Sequence, residues 1–256
     1  NQITGHGRMV EVVIMSRNST ETSMRIFNSI KHYELDITRA VLSGGALLAP
    51  YLHAFNVSLF LSLHDDDVQA AVDGGVAAAL LYQKPINPLA ELDQIRIAFD
   101  GDAVIFSGES EHIFQTQGIE AFENHERQNA NNPLPAGPFA RLLKALSVIQ
   151  RGFKNDAGNT LQDRSAPIRT ALVTARSSPA HERVIRTLRA WDVTIDETFF
   201  MGGVAKSDVL AAFNPHIFFD DQLGHCNSAA PLVQTGRVPT QHSNSTISTE
   251  IKSDHK

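Results

Sequence analysis

Two aspartates separated by one glycine, Asp100 and Asp102, directly follow a run of apolar and β-branched residues at 95–99. Such a run predicts a buried strand. In an open α/β sheet, ligands bind in the crevice beyond the carboxyl ends of the strands. Two carboxylates at that place can divide the work, one as nucleophile and the other as proton donor and acceptor. The same tripeptide is common in hairpins and loops, so the pattern alone leaves both interpretations open.

Four further polar residues stand where other predicted elements begin or end. Thr174 ends a strand at 168–174, Lys206 opens a helix, and Asp220 and Asp221 follow a strand at 216–219. In a parallel sheet with right-handed crossovers, all these strand ends lie on one edge. Taken singly, they could be an ordinary strand-end residue, a solvated lysine and a surface turn. Their joint occurrence at element ends favours a shared site.

The residue types of this set indicate phosphate chemistry. Clustered carboxylates repel one another and need a cation, and hard oxygen ligands favour Mg²⁺. Lys206 adds a second positive charge suited to a phosphoryl group. Thr174 supplies a hydroxyl donor, and the turn at Ala175 and Arg176 supplies backbone N–H groups at a helix start, which can bind an anion. The sum is phosphoryl transfer through an aspartyl phosphate.

An internal repeat relates the two halves of the chain. The corresponding stretches are 13–17 with 172–176, 44–45 with 202–203, 54–56 with 212–214, and 59–62 with 217–220. The polar groups of the second copy become uncharged in the first, with Met15 for Thr174, Leu48 for Lys206 and Ser62 for Asp220. Any two strand-helix-strand units look somewhat alike. Our interpretation is a duplicated α/β unit whose first copy keeps the scaffold without the catalytic groups.

Composition and charge exclude several classes of protein. With 256 residues, 42% hydrophobic and 20% charged, the chain fits one large α/β domain or two ordinary ones. A net charge of −6 argues against binding a nucleic-acid polymer. The one cysteine, Cys226, excludes an internal disulfide and fits a reducing compartment. No apolar run reaches transmembrane length and no signal-peptide pattern opens the chain, so we expect a cytoplasmic protein without a membrane partner.

Longer strings around these residues resemble a known family. The four motifs at Asp100–Asp102, Thr174, Lys206 and Asp220–Asp221 look like those of the haloacid-dehalogenase (HAD) superfamily. The strings at 96–104, 172–177 and 215–222, with 26–30 and 32–33 in the first half, resemble the cytosolic 5′-nucleotidase type I family. The likeness runs from about residue 10 to 238. Members usually carry a further segment before the strand near Val10, and the chain begins at Asn1 rather than Met, so we expect that the natural protein has more residues there.

The resemblance implies a Mg²⁺-dependent phosphomonoesterase that removes the 5′-phosphate of nucleoside monophosphates such as AMP or IMP. Asp100 would be the nucleophile, and Asp102 would protonate the leaving ribose oxygen and then activate water. Thr174, Ala175, Arg176 and Lys206 would bind the substrate's phosphate. The metal would be held by Asp100, the Asp102 backbone carbonyl and Asp220, with Asp221 in support. An aromatic such as Phe106 or Phe114 could stack on the base.

The same resemblance implies the architecture. We expect an α/β fold with a HAD-like Rossmannoid parallel sheet, helices on both faces, a helical cap insertion and a degenerate N-terminal HAD-like repeat. The predicted divisions are a non-catalytic repeat at 1–90, a catalytic domain at 91–238 with a cap at about 107–165, and a disordered tail at 239–256. The sequence leaves the number of subunits open, a homo-oligomer included.

Three rival functions stay open at this point. One is a phosphatase or phosphotransferase of the same superfamily acting on another small phosphomonoester. A second is a phospho-accepting receiver module, although there the acidic pair precedes the accepting aspartate and here Asp220 and Asp221 follow it. A third is a zinc hydrolase, which the scattered histidines do not support. His216 and His225 flank Asp220 without a partner at metal-ligand spacing, so we interpret both as structural.

Overall fold

The structure is a computed structural model that describes residues 9–83, 94–157 and 167–242. Most of the predicted disordered tail at 239–256, from residue 243 on, lies outside the described residues. So does the last part of the predicted cap, at 158–165. Within the described ranges no helix combines the length and hydropathy that crossing a membrane would need.

Strands and helices alternate along the described chain. The strands are β1 (Val13–Ser16), β2 (Arg39–Leu42), β3 (Phe60–Ser62), β4 (Ala78–Leu81), β5 (Ile95–Phe99), β6 (Ile168–Thr174), β7 (Glu197–Phe200), β8 (Ile217–Asp220) and β9 (Thr235–Arg237). The helices are α1 (Met24–His32), α2 (Ala49–Ala54), α3 (Asp65–Asp73), α4 (Glu109–Gln128), α5 (Ala140–Ala157), α6 (His181–Ala190), α7 (Ser207–Phe213) and α8 (Leu223–Ala229). A short 3-10 turn, Glu21–Ser23, precedes α1, and a π-type turn, Gly101–Ile105, follows β5.

Seven of the strands form one sheet in the order β3-β4-β9-β8-β5-β6-β7. Neighbouring strands in it are parallel except β4 and β9, which are antiparallel. The strands β1 and β2 form a separate parallel pair. A mostly parallel sheet with connecting helices confirms the predicted α/β fold class.

The strand before Asp100 lies in the interior of this sheet. β5 is flanked by β8 and β6 and carries apolar residues on both faces, as a strand covered on both sides must. Phe99 is fully buried and stacks on Phe219, with ring centroids 5.7 Å apart. The apolar face of α5, with Leu142, Leu143 and Leu146, packs into the same core. Because β5 is packed on both faces, the position of Asp100 at its carboxyl end is fixed.

The range predicted as a cap contains two different helices. α4 lies between the turn after β5 and α5, and it bends at Gly118, whose φ is +83°. α5 is the crossover helix between β5 and β6, and it packs on the sheet. The first of these is the candidate cap helix. The predicted domain divisions themselves stay predictions.

From β1 to β3, backbone features of the first half recur in the second half with an offset of 158 positions. Ser43 N donates to Ser16 O, and Met201 N donates to Thr174 O in the same way. The strand registers agree, since Ser16 pairs with Leu42 and Thr174 pairs with Phe200. The counterpart of Thr174 is therefore Ser16, and the equivalence predicted from sequence, Met15 for Thr174, is wrong by one residue. The error arose because the alignment followed similar side chains, whereas hydrogen-bond register decides which residues are equivalent.

Candidate active site at the carboxyl edge of the sheet

The strand register brings the end of β5 beside the ends of β6 and β8. Phe99 pairs with Leu172 on one side and with Phe219 on the other. The next residue, Asp100, donates its backbone N–H to Phe219 O at 2.8 Å. Asp220, the last residue of β8, thus lies next to Asp100 across the sheet. The predicted meeting of these strand ends is present in the structure.

Thr174 reaches the same edge from β6. A Cβ placed on Gly101 would lie 3.1 Å from the Thr174 hydroxyl oxygen, so the threonine side chain lies against the segment between the two aspartates. A glycine at 101 permits this close approach. Arg176 N donates to the same hydroxyl oxygen at 3.3 Å, which fixes the hydroxyl beside the turn that follows β6.

Lys206 joins the two strand-end aspartates. Its Nζ lies 2.6 Å from Asp100 Oδ1 and 2.7 Å from Asp220 Oδ2. All three side chains are almost fully buried. The lysine directly precedes α7, so the start of that helix places its ammonium group between the carboxylates. A buried charge is tolerated only when paired and hydrogen-bonded, and this arrangement meets that condition.

Three carboxylates at this edge could hold a metal ion. Ligand atoms of Asp100, Asp220 and Asp221 all lie within 4.8 Å of one another. Asp221 Oδ1 is buried without a hydrogen-bond partner. An uncompensated buried carboxylate oxygen is costly in water-free surroundings, and a hard divalent cation is the ligand that such a cluster fits. The donor set therefore fits a metal that binds oxygen.

The electrostatics of the cluster show how strongly it needs positive charge. Burial, together with the charges of Asp220 and Asp102, raises the pKa of Asp100 to about 7 although Lys206 acts against this. Burial and the charges of Asp100 and Asp220 raise the pKa of Asp221 to about 8. Burial and mutual repulsion thus favour the protonated forms of these two carboxyl groups, and a bound cation would oppose this.

Asp220 is the member of the cluster that stays ionised. Burial alone would raise the pKa of Asp220, but the hydrogen bond from His225 and the charge of Lys206 outweigh it and hold that pKa below its usual range. His225 Nδ1 lies 3.2 Å from Asp220 Oδ2, and Gln222 N donates to Asp220 Oδ1 at 2.9 Å. His225 thus orients a carboxylate of the cluster, which makes it a supporting residue of the candidate site. His216 likewise accepts a backbone hydrogen bond, from Arg96 N at 3.0 Å.

Asp102 and Arg176, predicted respectively as proton donor and substrate ligand, bind each other. The guanidinium makes two bonds, from Nε to Asp102 Oδ2 at 2.8 Å and from Nη2 to Asp102 Oδ1 at 2.6 Å. Its third nitrogen bonds Glu126 of α4. The side chain of Arg176 is therefore fully occupied by carboxylates and 4% exposed, whereas its backbone N–H lies in the turn predicted to bind phosphate.

The two aromatic residues considered for base stacking occupy different environments. Phe106 is 0% exposed in the main core and packs against Trp191, so no face of its ring is open and it does not fit that role. Phe114 on α4 is 43% exposed and contacts Phe122 edge to face. Local sequence could not separate the two, because burial of an aromatic depends on packing between distant elements.

Sequence reasoning missed Glu126, Ser110 and Arg183. Glu126 is buried and accepts bonds from Arg176, from Arg183 at 2.9 Å and from the Ser110 hydroxyl at 2.7 Å. These partners stand 16 to 57 positions from Glu126 along the chain. The one local hint is Ser110 and Glu126 at the two ends of one polar helix, and that spacing matches no motif.

Comparison with known proteins decides the family. A sequence model of the family described as 5′-nucleotidase matches residues 1–245. This chain belongs to the 5′-nucleotidase family. The human protein Cytosolic 5′-nucleotidase 1B is 38% identical to this 5′-nucleotidase family member over 226 residues, and the predicted resemblance is confirmed. That match covers 88% of the chain and 36% of the human protein, so the chain spans about a third of the length of this relative. No solved structure matches.

Proposed function

We propose that this 5′-nucleotidase family member is a Mg²⁺-dependent phosphoric monoester hydrolase acting on nucleoside 5′-monophosphates such as AMP or IMP. The observation that carries the proposal is the buried cluster in which Lys206 bridges Asp100 and Asp220 beside the partnerless oxygen of Asp221. Such a cluster at the carboxyl edge of a parallel sheet suits a dianionic phosphate with a divalent cation. The family match and the name of the human relative support the substrate class.

In the first step, a carboxylate oxygen of Asp100 attacks the phosphorus, and the bond from phosphorus to the ribose 5′-oxygen breaks. Asp102 gives its proton to the leaving oxygen, so that the nucleoside leaves as a neutral alcohol. The phosphoryl group is then an ester of Asp100. Thr174 and the backbone N–H groups of Ala175 and Arg176 hold its oxygens, and Lys206 neutralises the charge that develops on them.

In the second step, Asp102 accepts a proton from water, and the water oxygen attacks the phosphorus. The bond between phosphorus and the Asp100 oxygen breaks, which restores the Asp100 carboxylate and releases inorganic phosphate. The same residue serves as acid and then as base because it alternates between its two protonation states over the cycle.

The carboxylates of Asp100, Asp220 and Asp221 would hold Mg²⁺, with the backbone carbonyl of Asp102 as the ligand that the family resemblance adds. When bound, the ion supplies positive charge that draws the phosphate into the site and offsets repulsion among the carboxylates. Support comes from the cluster geometry and from the buried Asp221 Oδ1.

The nucleoside part of the substrate would face α4. This helix borders the metal cluster through Glu111, whose Oε1 accepts a bond from Gln222 Nε2 at 3.4 Å. Phe114 on the same helix presents an exposed ring that could stack on a base. We propose α4 as the cap helix and the cytoplasm as the place of action, the latter because the human relative is named a cytosolic enzyme.

The test is phosphate release from AMP, IMP and a panel of sugar phosphates by the purified full chain, with Mg²⁺ and with EDTA. We expect turnover of the nucleotides that EDTA abolishes and Mg²⁺ restores. Asp100→Asn should lower turnover by several orders of magnitude, about the effect of removing a covalent nucleophile. Faster turnover of sugar phosphates than of nucleotides would show that nucleoside monophosphates are not the substrate class. A stable phosphoenzyme without turnover would indicate a phospho-accepting module, and near-normal activity of Asp100→Asn would refute the mechanism.

A further inference from the structure

A chain of buried ionic contacts connects the candidate proton donor to the helix α4. Arg176 grips both oxygens of Asp102 through Nε and Nη2, at 2.8 and 2.6 Å. Its remaining terminal nitrogen, Nη1, donates to Glu126 Oε2 at 2.5 Å. Asp102 is 9% exposed, Arg176 4% and Glu126 1%, so water competes little for these bonds. In the described part of the chain Glu126 bonds Arg176, Arg183 and Ser110 and makes no hydrogen bond with Asp102, so its influence on Asp102 passes through Arg176.

At the other end of this network, two further hydrogen bonds hold the Glu126 carboxylate. Glu126 Oε1 accepts from the Ser110 hydroxyl at 2.7 Å and from Arg183 Nη1 at 2.9 Å. Ser110 lies near the start of α4 and Glu126 near its end, on either side of the bend at Gly118. Arg183 belongs to α6 and also donates from Nε to Asn132 O, just beyond α4. The Glu126 carboxylate is thus held by α4, α6 and Arg176 at once.

With Asp102 ionised, the form in which it acts as base, two guanidinium groups of this network face two carboxylates. Burial acts to raise the pKa of Glu126, but Arg176, Ser110 and Arg183 together outweigh it and hold that pKa below its usual range. A buried ion network of this kind is weak evidence for stability, because well-packed apolar residues often serve as well or better. What it does provide is one defined orientation of a fork-shaped guanidinium, and hence of the carboxylate that the guanidinium grips.

We propose that Arg176 and Glu126 are positioning residues for Asp102: Glu126 on α4 fixes the guanidinium, and the guanidinium sets the orientation of the proton donor. The proposal rests on the proposed function, since it gives Asp102 the role of acid and base. It replaces the expectation that the Arg176 side chain binds substrate. It also makes catalysis depend on the position of α4, because Glu126 is a residue of that helix.

The two roles for this network predict different kinetics. A positioning role affects the chemical step, so its loss lowers kcat and leaves KM nearly unchanged, whereas loss of a substrate ligand raises KM. Misplacement of a reacting group by about 1 Å costs roughly 100-fold in rate. We therefore expect Glu126→Gln to lower kcat about 10-fold or more with KM within about 2-fold of the wild type. Arg176→Lys, which keeps the charge and loses the fork, should lower kcat at least as much.

The matched control is Arg183→Lys, which removes the Nε bond to Asn132 O, weakens one bond to Glu126 Oε1 and leaves the bonds of Arg176 to Asp102 and to Glu126 Oε2 in place. If the network only supports folding, Glu126→Gln and Arg183→Lys should lose activity in proportion to their loss of thermal stability. We expect instead that kcat falls much more in Glu126→Gln than in Arg183→Lys at equal loss of stability. Equal kcat in the two variants would overturn the inference.

The decisive measurement is a double-mutant cycle in the full chain. Once Asp102→Asn has removed the proton donor, adding Glu126→Gln should change kcat by less than about 2-fold, because its target is gone. Additive losses would mean that Glu126 acts elsewhere and would overturn the inference alone. A wild-type chain that releases no phosphate from any nucleoside monophosphate would overturn the proposed function and this inference with it.

Discussion

The two halves of the molecule share turns and strand registers but differ in the charged side chains at their strand ends. Gly44 and Gly45 have positive φ and close the same turn as Gly202 and Gly203, and Asn56 and Asn214 both adopt the left-handed conformation. Each member of the first set precedes its counterpart by 158 positions. Two charged site residues have uncharged counterparts, with Leu48 for Lys206 and Ser62 for Asp220, whereas Ser16 keeps a hydroxyl at the position of Thr174. The site thus depends on a few side chains added to a scaffold that can exist without them.

The environments of one counterpart pair show how this is possible. Leu48 is 3% exposed and packs in a cluster with Leu52, Phe60 and Val68, whereas Lys206 is 5% exposed between two carboxylates. Equal burial is therefore satisfied by apolar contact in one half and by ion pairing in the other. The halves also differ in their centre, since β5 joins β6 to β8 while no strand in the described residues joins β1 to β3.

The largest loss of activity should come from replacing a candidate metal ligand of the second half by its counterpart from the first half. Asp220→Ser removes a candidate metal ligand and one of the two carboxylates that hold Lys206. We expect kcat/KM for nucleotide hydrolysis to fall by about 1,000-fold or more, the scale for losing a main electrostatic group of a site. Phosphate release measures it. Activity within ten-fold of the wild type would mean that the edge is no more functional than its counterpart at Ser62.

The converse exchange tests the first half. Leu48→Lys places an ammonium group among the apolar side chains of Leu52, Phe60 and Val68. Buried lysines shift their pKa by about 3 to 5 units, so the unfolding free energy should drop by about 4 kcal/mol or more near neutral pH. Leu48→Met, which conserves volume, should cost less than about 1.5 kcal/mol. Chemical denaturation of both variants makes the comparison, and equal stabilities would show that Leu48 does not need an apolar partner.

The pH dependence of stability should also report on the second half, because two carboxyl groups at its strand ends have raised pKa values. In metal-free protein, Asp100 has a pKa of about 7 and Asp221 of about 8, both above the ordinary 3.8. Between pH about 4 and 8 the folded state therefore binds more protons than the unfolded state, and the unfolding free energy falls as pH rises. Asp221→Asn should flatten this slope, and saturating Mg²⁺ should do the same. Denaturation curves in EDTA across that range are the measurement, and an unchanged slope in the variant contradicts the assignment.

Whether a contact in the candidate site could be predicted from the sequence depends on where its side chains lie in the secondary structure. Asp100, Thr174, Lys206 and Asp220 each stand at the end or start of a regular element, and strand ends of a parallel sheet converge, so their meeting was predictable. The bond from Arg176 to Asp102 spans 74 positions and was not. It depends on which way a long side chain turns once the sheet has formed, and no local pattern records that.

The features of the fold also fall into those that local sequence predicts and those that it does not. The strands and their order of appearance followed from apolar runs and turn residues, because both are local. The packing of α5 on the sheet rather than in a cap, and the burial of Phe106 against Trp191, depend on contacts between elements far apart in sequence. The register of β1 against β2 was also not predictable from the sequence. An alignment shifted by one residue keeps almost the same apolar pattern, but it makes Met15 rather than Ser16 the counterpart of Thr174.

The smallest expected effect concerns the ion pair that the first half keeps at its own edge. Arg17 bonds Asp67 Oδ1 through both Nε and Nη2, and the Asp67 side chain is 1% exposed. The counterpart of Asp67 is His225, which orients Asp220 in the second half, so a polar group at this helix start serves structure in one half and the site in the other. Asp67→Asn keeps the volume and loses the charge, and we expect about 1.5 to 3 kcal/mol lower unfolding free energy, the range for hydrogen bonds to charged groups, with kcat within about 2-fold of the wild type. His225→Asn should do the reverse, with a lower kcat at nearly unchanged stability. If Asp67→Asn instead lowers kcat as His225→Asn does, the first half takes part in catalysis and the contrast between the halves is wrong.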